Sequence, residues 1–152
     1  MSARLWEWLT REGVLGEATL RAAVERQLVY GGGLDTAILE RGGMSEAALW
    51  ARLVAVSGFP APAPSMFDWS QDAAPPLLPP QVTGPLRTVP VAAEGTTLDM
   101  LCAVPVAAEA IRAAVRDHGF VARLYVVPET RLLAMRQRVY GEPLPARYAP
   151  LV

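Results

Sequence analysis

The residues able to do covalent or acid–base chemistry are few. His118 is the only histidine of the 152 residues, flanked by Asp117 and Gly119. Neighbours along a helix do not face each other, so Asp117 and His118 form no catalytic dyad. His118 reads instead as a helix-terminal histidine favoured by the C-terminal dipole. Cys102 is the only cysteine and alternates with Leu98, Met100 and Val104. That pattern marks a core thiol, and a lone cysteine makes no internal disulfide. One histidine and one distant cysteine give no metal-ligand cluster. All fourteen cationic residues are arginine, which removes the P-loop lysine and Schiff-base chemistry together. No nucleophile elbow, zinc-protease, paired-cysteine or dinucleotide-binding motif occurs. The chain is expected not to be an enzyme and to need neither metal nor cofactor.

Two other features could bind a ligand. Trp6, Trp8, Trp50 and Trp69 could stack on bases, although their helical spacing points first to core or partner interface. Gly31–Gly33 could cradle a phosphate, although a glycine run between two helices is first a connection. Net charge is −1, so bulk attraction to nucleic acid or a membrane surface has no basis. No apolar run approaches the ~20 residues that span a bilayer, and no signal-peptide core opens the chain. The expectation is a soluble cytoplasmic protein, not membrane-inserted, with no nucleic-acid partner.

These residues must be positioned by two kinds of structure. Residues 1–59 read as a repeated helical-hairpin bundle. Leu5, Trp8 and Leu9 predict a short helix closed at Gly13, and Glu17 to Tyr30 a longer one with Leu20, Ala23, Val24 and Leu28 on one face. A third runs from Asp35 to about Arg41 and ends at Gly42 and Gly43. Ser45 is a predicted N-cap for a fourth, with Ala48, Leu49, Leu53 and Val56 in line and Gly58 at its end. At an offset of 29, Leu5 matches Leu34, Leu9 Ile38, Gly13 Gly42, Leu15 Met44, Leu20 Leu49 and Val24 Leu53. Two such hairpins predict a pseudo-symmetric four-helix bundle.

Residues 60–85 hold eight prolines and read as a linker with a helical turn near Leu77 to Val82; Phe67, Trp69 and Leu77 would seek burial. Residues 86–141 read as strand (Leu86–Ala92), a turn at Glu94-Gly95, strand (Thr97–Val104), helix (Val106–His118), strand (Phe120–Val127) and helix (Glu129–Tyr140). The expectation is a small ββαβα sandwich, with helices on one face of a mainly antiparallel sheet and Pro90 on an edge strand. Residues 142–152 form a Pro-rich tail expected to lie over the surface. The fold class is α+β.

The first unit, "RLWEWLTREGVLGEATLRAAVERQ", resembles the repeated motif of the N-terminal domain of type II secretion and type IV pilus assembly ATPases, the GspE N-terminal or MshEN-type domain. Arg4, Leu5, Leu9, Gly13, Leu15, Leu20, Ala23 and Gln27 fall on it without gaps. The segment from "LLPPQVTGPLRTVP" onward resembles the family's second half, so the resemblance spans about residues 4–141. It implies docking to inner-membrane platform proteins of a secretion or pilus machinery from the cytoplasmic side. No ATPase segment follows, which implies a free-standing module or an excised piece, and the ending "PARYAPLV" favours a natural end.

In members that bind cyclic di-GMP, the resemblance implies one site built from both motif copies, with Arg and Gln on guanine or phosphate and leucines as an apolar floor. Arg4, Leu5, Gln27 and Leu34 are then the ligand-binding candidates. Trp6 stands where glycine is expected in the first copy. In the second, Gly33 replaces Arg, Asp35 replaces Gly and Val56 replaces Gln, and Asp35 would set a negative charge near a dianion. The turn and apolar positions are kept while the ligand positions are lost. The leading expectation is a non-enzymatic protein-interaction module, and the alternative a cyclic di-GMP sensor using the first copy.

Overall fold

A computed structural model describes residues 16–41, 44–68 and 78–151. The predicted first helix, Arg4, Leu5, Trp6, Trp8, Gly42, Gly43, Trp69 and Leu77 lie outside them. Helix α1 (Glu17–Tyr30) ends on Gly31, whose φ of 72° and N–H to Gln27 O at 2.8 Å close the last turn. Helix α2 spans Leu34–Glu40. Helix α3 (Glu46–Ser57) starts on Ser45, whose hydroxyl accepts the Ala48 N–H at 3.2 Å, and stops on Gly58 at φ 77°. Leu20 and Ala23 of α1, Leu34, Ala37 and Ile38 of α2, and Leu49 and Leu53 of α3 form one buried cluster.

Two residues expected on apolar faces leave it. Ala48 is exposed, and Leu28 is 80% exposed, followed by exposed Val29 and Tyr30. The apolar spacing of α1 continues past Val24, but its buried partners end there.

After a 3₁₀ turn at Pro64–Phe67 and a one-turn helix α4 (Pro80–Thr83), the chain forms β1 (Thr88–Glu94), β2 (Thr97–Cys102), α5 (Ala108–Asp117), β3 (Val121–Val126) and α6 (Glu129–Tyr140). The sheet order is β1-β2-β3. β1 pairs antiparallel with β2 across the turn at Gly95, with Pro90 on this edge strand and a register shift between Pro90 and Ala92. β3 pairs parallel with β2, as a strand returning through a helical crossover does. The sheet is therefore mixed, not mainly antiparallel.

Its helices lie on both faces, not one. Leu98, Met100 and Cys102 of β2 pack with Ile111 and Val115 of α5. Leu101 and Ala103, of the opposite parity, pack with Leu132, Met135 and Val139 of α6. A strand apolar at both parities needs cover on both sides. Val104, expected to share the face of Cys102, joins the helical cluster together with Val126.

The Pro-rich connection crosses between the halves where it is described. Pro60 O accepts the Val126 N–H at 2.9 Å. Trp50 donates its indole N–H to Val126 O at 2.8 Å and meets Phe67 edge-on, with centroids 5.9 Å apart. The Arg138 guanidinium donates to Phe67 O. The tail folds back over the protein and ends in a 3₁₀ turn at Ala149–Leu151, with Tyr148 only 7% exposed.

Candidate functional site

The two conventional catalytic candidates sit in unreactive settings. His118 C-caps α5 and donates through Nδ1 to Ala114 O at 2.8 Å, on the surface. Cys102 is fully buried, its sulfur 3.3 Å from the Thr88 hydroxyl. Burial pushes its thiol up to about 11, so the thiolate is scarce at neutral pH. Among the described residues no three of His, Cys, Asp and Glu converge on a metal-sized space, and no helix is long and apolar enough to cross a membrane.

Arg4 and Leu5 lie outside the described residues. Gln27, on the last turn of α1, donates its amide to Gly32 O at 3.2 Å. Leu34 opens α2 and is 2% exposed, inside the helical cluster. Val56 packs against the same cluster, so the position matching Gln27 serves the core.

The Gly31–Gly33 run and the start of α2 do meet polar groups, and all of these belong to the chain itself. The N-termini of α2 and α6 cap each other. Asp35 accepts the Glu129 N–H at 2.7 Å. Glu129 Oε1 in return accepts the Gly33 N–H at 2.9 Å and the Thr36 hydroxyl at 2.7 Å. Two unpaired helix starts are thus satisfied by one pair of carboxylates, each favoured by the positive end of the helix it caps. Arg87 closes the junction, donating to Glu129 Oε2 at 2.6 Å and to Val104 O at 2.9 Å. The Tyr148 hydroxyl donates to Glu129 Oε1 at 3.1 Å.

The tail completes the cover. Arg147 donates to Glu40 at 2.6 Å, to Tyr30 O at 2.8 Å and to Gly31 O at 3.2 Å. Arg26 reaches the same Glu40 at 3.1 Å. Burial pushes the Glu40 carboxyl up, but the two guanidiniums outweigh it and leave it below its ordinary range.

This packing explains the glycines. Gly32 has φ 79°, and a Cβ there would lie 2.8 Å from the Tyr148 hydroxyl. A Cβ on Gly33 would collide with the Asp35 carboxylate, so a side chain at the position matching Arg4 would require Asp35 to move. Asp35 is turned inward and buried, which corrects the expectation of a charge offered to a ligand. Burial and the neighbouring Glu129 charge raise its carboxyl from 3.8 to about 6, with the Glu129 N–H and Arg87 pulling the other way. Burial and Glu129 push the Tyr148 phenol up to about 12.

Glu129, Arg87, Glu40, Arg147 and Tyr148 were invisible to motif reading, because they converge from segments remote from one another in sequence. The only sequence cue is Pro128-Glu129-Thr130, a proline and an acid at a helix start.

No protein-family model and no curated protein sequence matches the chain. Solved structures do. A structure of MshE with cdg (cyclic di-GMP) matches at TM-score 0.60 and 27% identity, covering 90% of this chain and 98% of that one. A structure of the N-terminal domain of XpsE matches at TM-score 0.59 and 25% identity, covering 91% of this chain and 95% of that one. Both likenesses extend over about nine-tenths of this chain and support a domain of the N-terminal GspE/MshEN type.

Proposed function

We propose that this chain is a non-enzymatic interaction module that docks, from the cytoplasmic side, to a protein component of a secretion or pilus assembly machinery. The observation that carries this reading is the filling of the second motif copy. Gly33, Leu34, Asp35 and Val56 face the core, Glu129 and Tyr148 rather than an open site. A fold that keeps its turns and apolar positions but closes half of a ligand site is better suited to presenting a surface than to sensing a nucleotide. The test is photo-crosslinking in cells from surface positions of the chain. Capture of a component of such a machinery supports the reading, and its absence from every surface position overturns it.

A second reading is favoured by the likeness to MshE with cyclic di-GMP. It is a sensor that binds cyclic di-GMP through Arg4, Leu5 and Gln27 of the first copy. Calorimetry with cyclic di-GMP separates the two. Saturable binding of micromolar order (about −8 kcal/mol) that Arg4→Ala abolishes supports the sensor and overturns interaction alone. Absence of both heat and thermal shift overturns the sensor.

A further inference from the structure

The sheet has two edges, and they differ. β1 is blunted: Pro90 has no N–H to offer, and the register shifts beside it. β3 has neither proline nor bulge from Val121 to Val126. The Val121 N–H goes to Thr96 O at 2.7 Å, toward β2. Alternation then turns the N–H and C=O of Ala122, Leu124 and Val126 outward. At Val126 both outward groups are taken, the N–H by Pro60 O and the C=O by the Trp50 indole. At Ala122 and Leu124 the outward groups have no partner among the described residues.

Beside this edge, half-exposed at Ala122 and only 6% exposed at Leu124, is a groove of about 180 Å³ on the α5 side, lined by Arg112, Arg116, Phe120, Val121 and Ala122. Val121 is 63% exposed. Arg112 and Arg116 stand one helical turn apart, both exposed. Neither is ion-paired among the described residues, whereas Arg26, Arg87, Arg123, Arg131, Arg136 and Arg147 each hold a carboxylate.

We infer that β3 is a docking edge for an extended segment of another protein that carries acidic side chains at alternate positions. The segment adds a strand beyond β3, its backbone pairs with Ala122 and Leu124, and every second side chain reaches Arg112 or Arg116. Pairing stops where Pro60 and Trp50 already occupy Val126. A second copy of this chain does not fit, because edge-to-edge pairing of two β3 strands would set the arginines of both copies against each other. This inference rests on the interaction-module reading and names the surface and the partner's chemistry.

The probe is a fluorescein-labelled peptide about six residues long of alternating valine and glutamate, compared with a valine–lysine counterpart by anisotropy. Amide exchange is followed at Ala122 and Leu124 in the full chain. The glutamate peptide is expected to bind, the lysine peptide not, and both amides to exchange more slowly in the complex. In Arg112→Glu/Arg116→Glu the preference reverses: the glutamate peptide weakens at least roughly tenfold and the lysine peptide gains. Both arginines are exposed, and an unchanged melting temperature confirms that the variant folds. Failure of the glutamate peptide to bind, unmoved exchange at Ala122 and Leu124, or equal affinity in the charge-reversed variant overturns the inference. If the variant still crosslinks in cells to the component that wild type captures, the docking reading stands and the β3 edge falls. If the wild-type chain crosslinks to nothing while peptide binding follows the charge pattern, the edge stands and the docking reading falls.

Discussion

Replacing Asp35 by Asn should make the protein's stability respond differently to pH, by an amount that follows from the burial of this carboxyl. In the folded chain Asp35 titrates at about 6, against 3.8 ordinarily. Below pH 3.8 both states hold the proton and the group contributes nothing. Between about pH 4 and 6 the unfolded chain ionises while the folded chain keeps its proton, so stability falls with rising pH. Above pH 6 both are ionised and the loss is constant. A displacement of about two units at 1.36 kcal/mol each gives roughly 3 kcal/mol.

Asn retains a carbonyl oxygen for the Glu129 N–H but cannot ionise. The unfolding free energy of Asp35→Asn minus that of wild type should therefore rise by roughly 2 kcal/mol from pH 4 to pH 6, within a total of roughly 3 kcal/mol that levels off by pH 7. Urea denaturation at each pH, followed by tryptophan fluorescence, measures it. Taking the difference cancels the other titrating groups if they are independent of this site. A flat difference curve refutes the argument. A falling one would mean that the Glu129 N–H and Arg87 outweigh burial and the Glu129 charge, so that ionised Asp35 stabilises the fold.

Three further outcomes are expected. Arg147→Ala removes the tail's bonds to Glu40, Tyr30 and Gly31 and should cost about 1–3 kcal/mol, with faster amide exchange at Gly31 and Gly32. Leu53→Ala empties part of the helical cluster and should cost about 2–5 kcal/mol in denaturant unfolding. Cys102 should resist a thiol reagent at pH 8 in the native state and react at once in denaturant, since burial holds its thiol near 11.

What the sequence disclosed was local. Glu17–Tyr30 and Glu129–Tyr140 were legible because Gly31 and Gly141 end them at positive φ, and Ser45 announced α3 through its cap. The placement of helices on the sheet was misread from one parity of β2. Leu101 and Ala103 were present in the sequence, and with Leu98, Met100 and Cys102 they make both faces apolar. The losses at Gly33 and Asp35 were read as removal of a ligand. The structure gives them a positive role, since Asp35 caps α6 and Gly33 admits Glu129. That role depends on a partner 94 residues away from Asp35, which no local pattern encodes. Of the candidate ligand residues, sequence spacing placed Gln27 near the Gly31–Gly33 turn but could not show that Leu34 is sealed in the core.

The mutual capping of α2 and α6 bears on the order in which the chain can fold. Neither helix start is satisfied until the other has arrived, so the contact is a late event that closes a long loop. Before it forms, each carboxylate remains hydrated and each helix start frayed. Once formed, the junction makes the melting of one half expose buried charge in the other. The helical cluster and the sheet are thereby bound into one cooperative unit, and heat should unfold them in a single transition rather than as two domains in turn.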